Sequence, residues 1–374
     1  MKIVQLANFY TPVSGGGLRA CLEQTGSGYR EAGHERVLLV PGPAHGDEQT
    51  ALGRHITVRS PRLPGSGGYR VLTDRTRVRE LLDAVRPDVL EVSDKLSVGW
   101  LARWAHRRGV PLVLFSHERI DAVLRTRLPR RFPLRATART INRRLSGLAD
   151  RVVVTSRFSA AEFEQVGATN VDRVPLGVDL ETFRPDRRAR RDGGATIRLV
   201  TVSRLSREKC PERAIDALRV LCEDGVAANL HLIGDGPLRE ALEQRATGLP
   251  VTFAGHVSDR RRTAGLVAAA DVALSPSPAE TFGLATLEAL ACGVPAVVPA
   301  QGAAGELIGA PDSGRITDGT SRGLADGIRE LVARPAGSRR AAARAAAERF
   351  PWSTTVAELL ALFGTLDTRA PAAS

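Results

Sequence analysis

The chain alternates short apolar, β-branched runs with helical stretches along its whole length, and this alternation constrains the fold more than any other feature. Alternation of strands and helices predicts parallel sheets with helices on both faces. The predicted strands are Ile3–Ala7, Val37–Val40, Val89–Val92, Pro111–Phe115, Val152–Thr155, Ile197–Val202, Leu230–Ile233, Val251–Phe253, Val272–Leu274 and Ala296–Val298. The sequence therefore predicts an α/β protein.

The length of the chain predicts more than one domain. At 374 residues it exceeds one typical hydrophobic core and fits two domains of ordinary size. The break falls near Phe183-Arg184-Pro185, where a proline and a charged run lead into a new strand. We expect two doubly wound, Rossmann-like domains, 1–184 and 185–353, facing an interdomain cleft.

Composition and charge narrow the classes of function. Hydrophobic content of 43% with 25% charged residues fits a globular protein, and no apolar run is long enough for a membrane span. The four cysteines lack paired spacing, and the N-terminal apolar run stops at Asn8, too early for a signal peptide. Both observations predict a cytoplasmic protein with reduced thiols.

The net charge of +12 makes the surface attractive to anions. Nucleic acid is not an expected partner, because aromatic residues make up only 4% and no motif interleaves basic with aromatic residues. The stretch from Arg119 to Arg151 holds ten arginines and two acids among apolar residues. It suits an interfacial region drawn to anionic lipid headgroups, although a solvated basic face is an equal alternative.

Polar residues and glycines cluster directly after the predicted strands, where doubly wound sheets bind ligands. They are Asn8, Gly15-Gly16-Gly17, Ser93-Asp94, Ser116-His117-Glu118, Ser203-Arg204, Gly234-Asp235-Gly236 and Ser275-Pro276. Loops must follow strands in any sheet, so each alone is weak. Their sum predicts one extended binding site in the cleft.

Glu280 and Glu288 lie eight residues apart around a helix that Gly283 opens and Gly293 closes. Glu280 could hold a sugar hydroxyl and Glu288 a ribose, while free backbone N–H groups at the helix start could face a diphosphate. An amphipathic helix with two solvated glutamates is the alternative for this segment alone.

Arg204 and Lys209 share one basic loop, in a chain with only three lysines. A diphosphate gains negative charge as its bond to a sugar breaks, so two nearby cations would stabilise the transition state more than the ground state. A solvated basic loop is the alternative.

The first half offers weaker candidates. His117 could bond a sugar hydroxyl or help receive a proton, because histidine titrates near neutrality, although a structural histidine is as plausible. Asp94 could equally cap a helix. The Gly15-Gly16-Gly17 turn suits close approach of a phosphate, or is a turn that binds no ligand. The chain also lacks the D-x-D pair of a metal-bridged diphosphate site.

Together these motifs resemble a family 4 retaining glycosyltransferase of the GT-B fold, along nearly the whole chain. Glu280-x7-Glu288 matches the hallmark of that family, and Arg204 with Lys209 matches its diphosphate-binding pair. Further segments resemble actinobacterial GDP-mannose-dependent phosphatidylinositol (di)mannoside α-mannosyltransferases. These segments are Gly67-Gly68-Tyr69-Arg70, Glu91-Val92-Ser93-Asp94, Ser116-His117-Glu118-Arg119, Gly167-Ala168-Thr169-Asn170 and Val174-Pro175-Leu176-Gly177-Val178-Asp179.

The resemblance implies a role for each matched residue. The implied catalytic residues are His117, Arg204, Lys209 and Glu280. The implied donor-binding residues are Gly16, Gly17, Gly234, Val257, Phe282, Gly283, Leu284 and Glu288. The implied acceptor-binding residues are Asn8, Tyr10, Asp94 and Arg119.

The resemblance also implies a reaction: mannose moves from GDP-mannose to a hydroxyl of a membrane glycolipid, with retention of configuration and without a metal or other cofactor. The first domain would bind the acceptor and the second the nucleotide sugar, while a C-terminal helix at about 354–366 packs back onto the first domain. The enzyme would then work at an anionic membrane surface, on the cytoplasmic face of the plasma membrane. Two alternatives stay open: transfer from a UDP- or dTDP-sugar to a soluble metabolite, and a non-catalytic nucleotide-sugar-binding regulator.

Overall fold

The computed structural model describes residues 1–10, 16–63, 68–121, 134–185 and 196–366. The chain divides into two compact units: Met1–Pro175 with the C-terminal segment from Trp352, and Leu176–Pro351. The predicted boundary after Arg184 lies inside the second of these units. Gly15, Gly67, residues 122–133 of the proposed lipid-facing stretch and the charged run at 186–192 lie outside the described residues.

The first unit is built on one sheet. Its described strands are β1 (Lys2–Leu6), β2 (Glu35–Gly42), β3 (Gly46–Thr50), β4 (Gly53–Arg59), β5 (Val89–Val92), β6 (Leu112–Ser116), β7 (Arg151–Val154) and β8 (Val171–Arg173). They are ordered β3-β4-β2-β1-β5-β6-β7-β8, and all neighbours pair in parallel except β3 with β4. The central strands are buried on both faces, as their continuous apolar sequences require.

Helices cover this sheet, and local sequence fixes where they begin and end. They are α1 (Gly17–Glu31), α2 (Arg75–Val85), α3 (Lys95–Arg108), α4 (Leu134–Leu148) and α5 (Arg157–Glu164). In α3 the Asp94 carboxylate accepts from the backbone of Leu96 and Ser97, and the helix ends at Gly109, whose φ of 66° suits glycine.

The second unit contains a parallel sheet with the order β11-β10-β9-β12-β13-β14 in its described part. Its strands are β9 (Ile197–Val202), β10 (Ala228–Ile233), β11 (Val251–Gly255), β12 (Val272–Leu274), β13 (Ala296–Pro299) and β14 (Gly314–Thr317). Its helices are α6 (Glu212–Glu223), α7 (Arg239–Arg245), α8 (Arg260–Ala268), α9 (Leu284–Ala291), α10 (Ser321–Val332) and α11 (Ala336–Ala347). Single 3-10 turns span Arg207–Lys209 and Ala304–Leu307.

The last helix, α12 (Trp352–Gly364), packs on α1 in the first unit. Val356 lies so close to Gly28 that a Cβ there would stand 2.4 Å from a valine methyl. The Tyr29 and Phe363 ring centres are 5.8 Å apart. Small and aromatic residues on α1 thus create the surface on which α12 packs.

The prediction of two doubly wound α/β domains is confirmed, with each predicted strand matched to within two residues at either end. Strands β3, β4, β8 and β14 were not predicted from the sequence. β3 is an exposed polar edge, β8 has three residues, and β4 and β14 are interrupted by polar residues, so apolar periodicity fails to find them. Among the described helices, none has the length and apolar character needed to cross a bilayer.

Candidate active site

In the second unit, the loops after β9 and β10 approach each other closely at the carboxyl edge of the sheet. Gly234 has a φ of 135°, and a Cβ there would lie 2.0 Å from the carbonyl oxygen of Ser203. A Cβ on Gly236 would likewise meet the carbonyl oxygen of Leu205 at 2.4 Å. Only glycine permits this approach, so the predicted donor-binding Gly234 lies against the backbone that leads to Arg204.

Lys209 ends the 3-10 turn, and its ammonium group donates to the Glu280 carboxylate at 2.8 Å. The side chains are 31% and 18% exposed, so the pair is only partly screened by water. Burial opposes the charge on Lys209, but the Glu280 carboxylate outweighs it and raises the lysine pKa above its ordinary value. Two residues that are 71 positions apart in sequence, one predicted to bind diphosphate and the other the sugar, are therefore in direct contact.

Arg204 belongs to a second charge cluster on the same loop. Its guanidinium pairs with Glu208 and donates to the Ser206 hydroxyl at 3.3 Å, and that hydroxyl donates to Glu208 at 2.6 Å. Burial alone would raise the pKa of Glu208, but the bonds from Ser206 and Arg204 hold it below its ordinary value. Sequence analysis did not single out Glu208, although its position four residues after Arg204 is the spacing of a local ion pair.

Backbone bonds fix the loop that carries Glu280. The Glu280 carbonyl accepts from the backbone of Ala303 at 2.8 Å, beside Gly302, whose φ is 96°. Ser277 in the same loop donates to the carbonyl of Glu208 at 2.7 Å. The loop after β12 is thus tied to the Lys209 turn on one side and to the segment after β13 on the other.

The start of α9 is as predicted. Gly283 has a φ of 101° and is the N-cap residue, while Gly293, with a φ of 73°, lies two residues after the helix end. Phe282 is 5% exposed and packs edge-on against Phe350, with ring centres 6.2 Å apart. This packing anchors the turn, and the first backbone N–H groups of α9, from Leu284 onward, have no carbonyl within the helix to bond.

Glu288 lies one turn further along α9 and has a cationic partner that the sequence analysis missed. Arg260, the first residue of α8, donates to its carboxylate at 3.1 Å. Burial raises the pKa of Glu288 to about 7, while Arg260 lowers it and Asp179 raises it. Val257, the predicted base-reading residue, lies half-buried in the loop that leads into α8.

In the first unit, Gly16 and Gly17 lie at the beginning of α1. Gly16 is its N-cap with extended backbone (φ −82°), and among the described residues nothing lies within 4 Å of a Cβ built there. Gly17 is the first residue of the helix. The first N–H groups of α1 have no carbonyl within the helix to bond, as an anion site would need.

Asn8 and Asp94 are buried and bonded to each other. The Asn8 amide donates to Asp94 at 3.1 Å and to Ser97 at 2.9 Å, while its carbonyl oxygen accepts from the backbone of Leu72 at 2.7 Å. Asp94 also caps α3. These bonds give both residues a structural role between the ends of β1 and β5, and their contact with an acceptor stays a prediction.

Tyr10 and Arg119 are the other two predicted acceptor residues. Tyr10 is half-buried with its ring edge toward His55, at 6.0 Å between ring centres. Arg119 pairs with both oxygens of Asp121 at 3.0 and 3.1 Å, donates to the carbonyl of Phe158 at 2.7 Å and stacks over the Phe158 ring. These bonds occupy the N–H donors of the Arg119 guanidinium. Arg119 therefore holds the loop after β6 in place.

His117 follows β6 and stacks on Phe115, with ring centres 4.5 Å apart. Burial lowers the pKa of His117 to about 4. The expectation that this ring titrates near neutrality is therefore wrong, because burial removes the water that would stabilise a charged imidazole. The neutral ring can still exchange hydrogen bonds with a hydroxyl.

The loop with His117 rests on a buried ion pair that the sequence did not reveal. Lys95 and Glu162 pair with 14% and 4% of their side chains exposed. Glu162 also accepts from Asn142 at 3.0 Å and from the backbone of Ile120 at 3.2 Å. Because Lys95 and Glu162 are 67 positions apart, only the folded sheet brings them together.

Comparisons with known proteins identify the family of the chain. A family model described as glycosyl transferases group 1 matches residues 184–349, and one described as Glycosyltransferase Family 4 matches residues 15–182. The GDP-mannose-dependent alpha-(1-6)-phosphatidylinositol dimannoside mannosyltransferase of Mycobacterium tuberculosis is 47% identical, over 98% of this chain and 97% of the relative. The chain therefore belongs to the glycosyltransferases that these two family models describe, group 1 and family 4.

Other relatives and solved structures extend the comparison. The D-inositol 3-phosphate glycosyltransferase of Mycolicibacterium smegmatis is 33% identical to this glycosyltransferase, over 71% of the chain and 64% of the relative. The structure of sucrose-phosphate synthase from Thermosynechococcus elongatus aligns with a TM-score of 0.79 at 21% identity, over 98% of this chain and 99% of that one. At this identity the match shows the fold, which is GT-B.

Proposed function

We propose that this glycosyltransferase moves mannose from GDP-mannose to a hydroxyl of a membrane glycolipid such as a phosphatidylinositol mannoside, with retention of configuration. The observation that carries the proposal is the 47% identity, over 98% of the chain, to a mannosyltransferase of that donor and acceptor class. The contact between Lys209 and Glu280 supports it, because it joins a cation for the diphosphate to a carboxylate for the sugar.

The proposed reaction balances without an added base. The bond between the anomeric carbon and the diphosphate oxygen breaks, and the acceptor oxygen bonds to the same carbon on the same face. The acceptor's proton passes to the leaving phosphate oxygen, so the products are GDP and the mannosylated lipid. Arg204 and Lys209 would stabilise the charge that develops on the leaving diphosphate.

The remaining roles are those that the family resemblance implies. Glu280 would hold the sugar's hydroxyls and Glu288 the ribose, while the amides after Gly283 would meet sugar and phosphate. His117 would bond the transferred sugar as a neutral imidazole, since a pKa of about 4 makes it a weak base at neutral pH. With two cations facing the diphosphate, the proposed mechanism requires no metal, and activity that survives a chelator such as EDTA is the expected result.

The lipid acceptor would place the enzyme at a cytoplasmic membrane surface. Within the arginine-rich stretch, α4 buries an apolar and polar seam on one side and exposes its arginines on the other. These exposed residues are Arg135, Arg139, Arg143 and Arg144. Such a face suits anionic headgroups. Co-sedimentation with vesicles should then depend on phosphatidylinositol or phosphatidylserine content and weaken with salt.

A donor screen tests the proposal. The enzyme is incubated with GDP-mannose, UDP-glucose or dTDP-glucose and a lipid extract, and products are identified by mass and by the anomeric NMR coupling. We expect a mannosylated lipid with the donor's α configuration from GDP-mannose alone. Transfer only from UDP- or dTDP-sugars, or only to water-soluble acceptors, would refute the donor or acceptor assignment. Binding without turnover of any donor would favour a regulator.

A further inference from the structure

Three neighbours restrain Arg260, two at its guanidinium and one at its backbone. Its Nη2 donates to Oε1 of Glu288 at 3.1 Å, and its Cζ lies 5.0 Å from the centre of the Phe183 ring. Asp259 caps α8 by accepting from the backbone of Arg261 at 2.9 Å, which fixes the backbone of Arg260 between them. The Nε of Arg260 is buried and has no hydrogen-bond partner among the described residues.

A planar guanidinium stacked on a ring keeps one orientation better than a flexible ammonium. Phe183 is itself 1% exposed, and Arg344 on α11 donates to its carbonyl at 3.0 Å. Phe183 is thus a buried, hydrogen-bonded platform under Arg260. The Arg260 side chain is 42% exposed, but the ring on one side and Glu288 on the other limit the orientations of its guanidinium.

The surroundings of Glu288 indicate what its contact with Arg260 does chemically. Its side chain is 16% exposed, and burial raises its pKa to about 7. Arg260 favours the ionised form, whereas Asp179 opposes it. Cys292, the C-cap residue of α9, has its own pKa raised to about 12 by burial and by Glu288, and stays neutral. The charges of Arg344 and Arg340 on α11 lower the pKa of Cys292 in part. Arg260 is thus the cation in direct contact with this carboxylate in the described chain.

We propose that Arg260 is a positioning residue for the nucleotide: it keeps Glu288 an oriented carboxylate, ready to accept both ribose hydroxyls. The inference rests on the proposed role of Glu288 as the ribose clamp. An ionised carboxylate accepts from two vicinal hydroxyls, whereas a protonated one must use an oxygen as donor. With Oε1 bonded to Arg260, Oε2 and the second lone pair of Oε1 stay available for the ribose.

The test measures GDP affinity by calorimetry between about pH 6 and pH 9. Arg260→Met removes the charge and keeps much of the stem's packing, while Arg260→Lys restores a charge without the planar fork. Arg261→Met is the matched control, because Arg261 is the exposed neighbour on the same helix and loses the same charge. A parallel series uses 2′,3′-dideoxy-GDP, which lacks the hydroxyls that Glu288 would bind.

We expect Arg260→Met to weaken GDP binding about fivefold at pH 7, because Glu288 with a pKa of about 7 is half ionised there and a rise of its pKa by about one unit would leave about a tenth ionised. The loss should shrink above about pH 8.5, where Glu288 ionises without help. Arg260→Lys should recover part of the affinity, and Arg261→Met should stay within about twofold of the wild type. Toward 2′,3′-dideoxy-GDP, wild type and Arg260→Met should bind alike. The thermal melt of each variant is recorded, and Arg260→Lys carries the pH comparison if Arg260→Met does not fold.

Two outcomes overturn the inference: an unchanged pH profile in Arg260→Met, or an equal loss toward GDP and its dideoxy analogue. The Glu288→Gln variant distinguishes a failure of the ribose clamp from a failure of the role of Arg260. If this variant keeps wild-type GDP affinity, the ribose clamp in the proposed function fails. If it loses affinity while Arg260→Met does not, the clamp stands and only the role of Arg260 fails.

Discussion

The contact between Lys209 and Glu280 gives the sharpest prediction about catalysis. We expect Lys209→Met to lower kcat by about 100-fold while donor affinity falls much less. Methionine keeps a flexible stem of similar length but has no charge, so the substitution removes the ammonium with little change in volume. The variant separates charge stabilisation from packing.

The magnitude follows from the site's exposure. At 31% exposure the ammonium is partly screened, and an effective dielectric of about 20 gives about 4 kcal/mol for unit charges 4 Å apart. That figure is an upper limit, because the leaving diphosphate gains less than one unit of charge in the transition state. Removing one donor of this kind from other enzymes costs about 2.7 to 4 kcal/mol, so an effect of about 100-fold lies at the lower end of that range.

Losing Lys209 also leaves Glu280 without its partner, so the assay must distinguish the two residues. Initial rates at saturating donor give kcat, and calorimetry with GDP gives affinity for a ligand without the sugar. Arg207→Met is the control, because Arg207 is the exposed basic residue of the same turn. A Lys209→Met/Glu280→Gln double variant measures how strongly the two side chains are coupled.

A loss below about threefold in Lys209→Met, or an equal loss in Arg207→Met, would refute the reasoning, since neither fits charge stabilisation at the leaving group. A large loss confined to donor affinity would instead make Lys209 a ground-state binding residue.

Two further predictions concern the first and second units in turn. His117→Gln should lower kcat by up to about tenfold, the contribution of one hydrogen bond. The factor should be the same from about pH 5.5 to pH 8, because the wild-type His117 pKa is about 4 and the ring stays neutral over that range. A step in the wild-type pH profile of kcat between pH 6 and pH 7 that the variant abolishes would contradict this. Gly234→Ala, whose Cβ would lie 2.0 Å from a carbonyl oxygen, should destabilise the protein by about 1 to 3 kcal/mol in urea unfolding and weaken GDP binding. Gly248→Ala is its control, because Gly248 has a φ of 78° but no described atom within 4 Å of a Cβ built there. An equal cost in both variants would show that only backbone strain matters.

The sequence was sufficient to predict the fold, because buried parallel strands are continuous apolar runs and such runs recur along the whole chain. It also located the two ends of α9, since glycine readily adopts the positive φ values that Gly283 and Gly293 have there. Apolar runs and glycines at helix ends are local properties of the sequence, so a local pattern is enough to recognise them.

The partners of charged side chains could not be predicted in the same way. Arg260 stands in a run of three arginines, and nothing in that run shows which one reaches Glu288, 28 positions away. The pairing of Lys95 with Glu162 depends likewise on the order of strands in the sheet. The pKa of His117 was misjudged for the same reason, because burial is a property of the packed structure.

The charged residues assigned to the donor in the second unit already carry partners of opposite charge: Lys209 with Glu280, Arg204 with Glu208, and Glu288 with Arg260. Such pairs hold partly buried charges in place before a ligand arrives, so less side-chain ordering has to be completed on binding. In the proposed mechanism, a diphosphate bound by Arg204 and Lys209 would share their charge with Glu208 and Glu280 rather than meet bare cations. Affinity for the ground-state diphosphate would therefore be moderated, while the charge that grows during bond breaking would still fall on cations already held in place, and only this difference would accelerate the reaction.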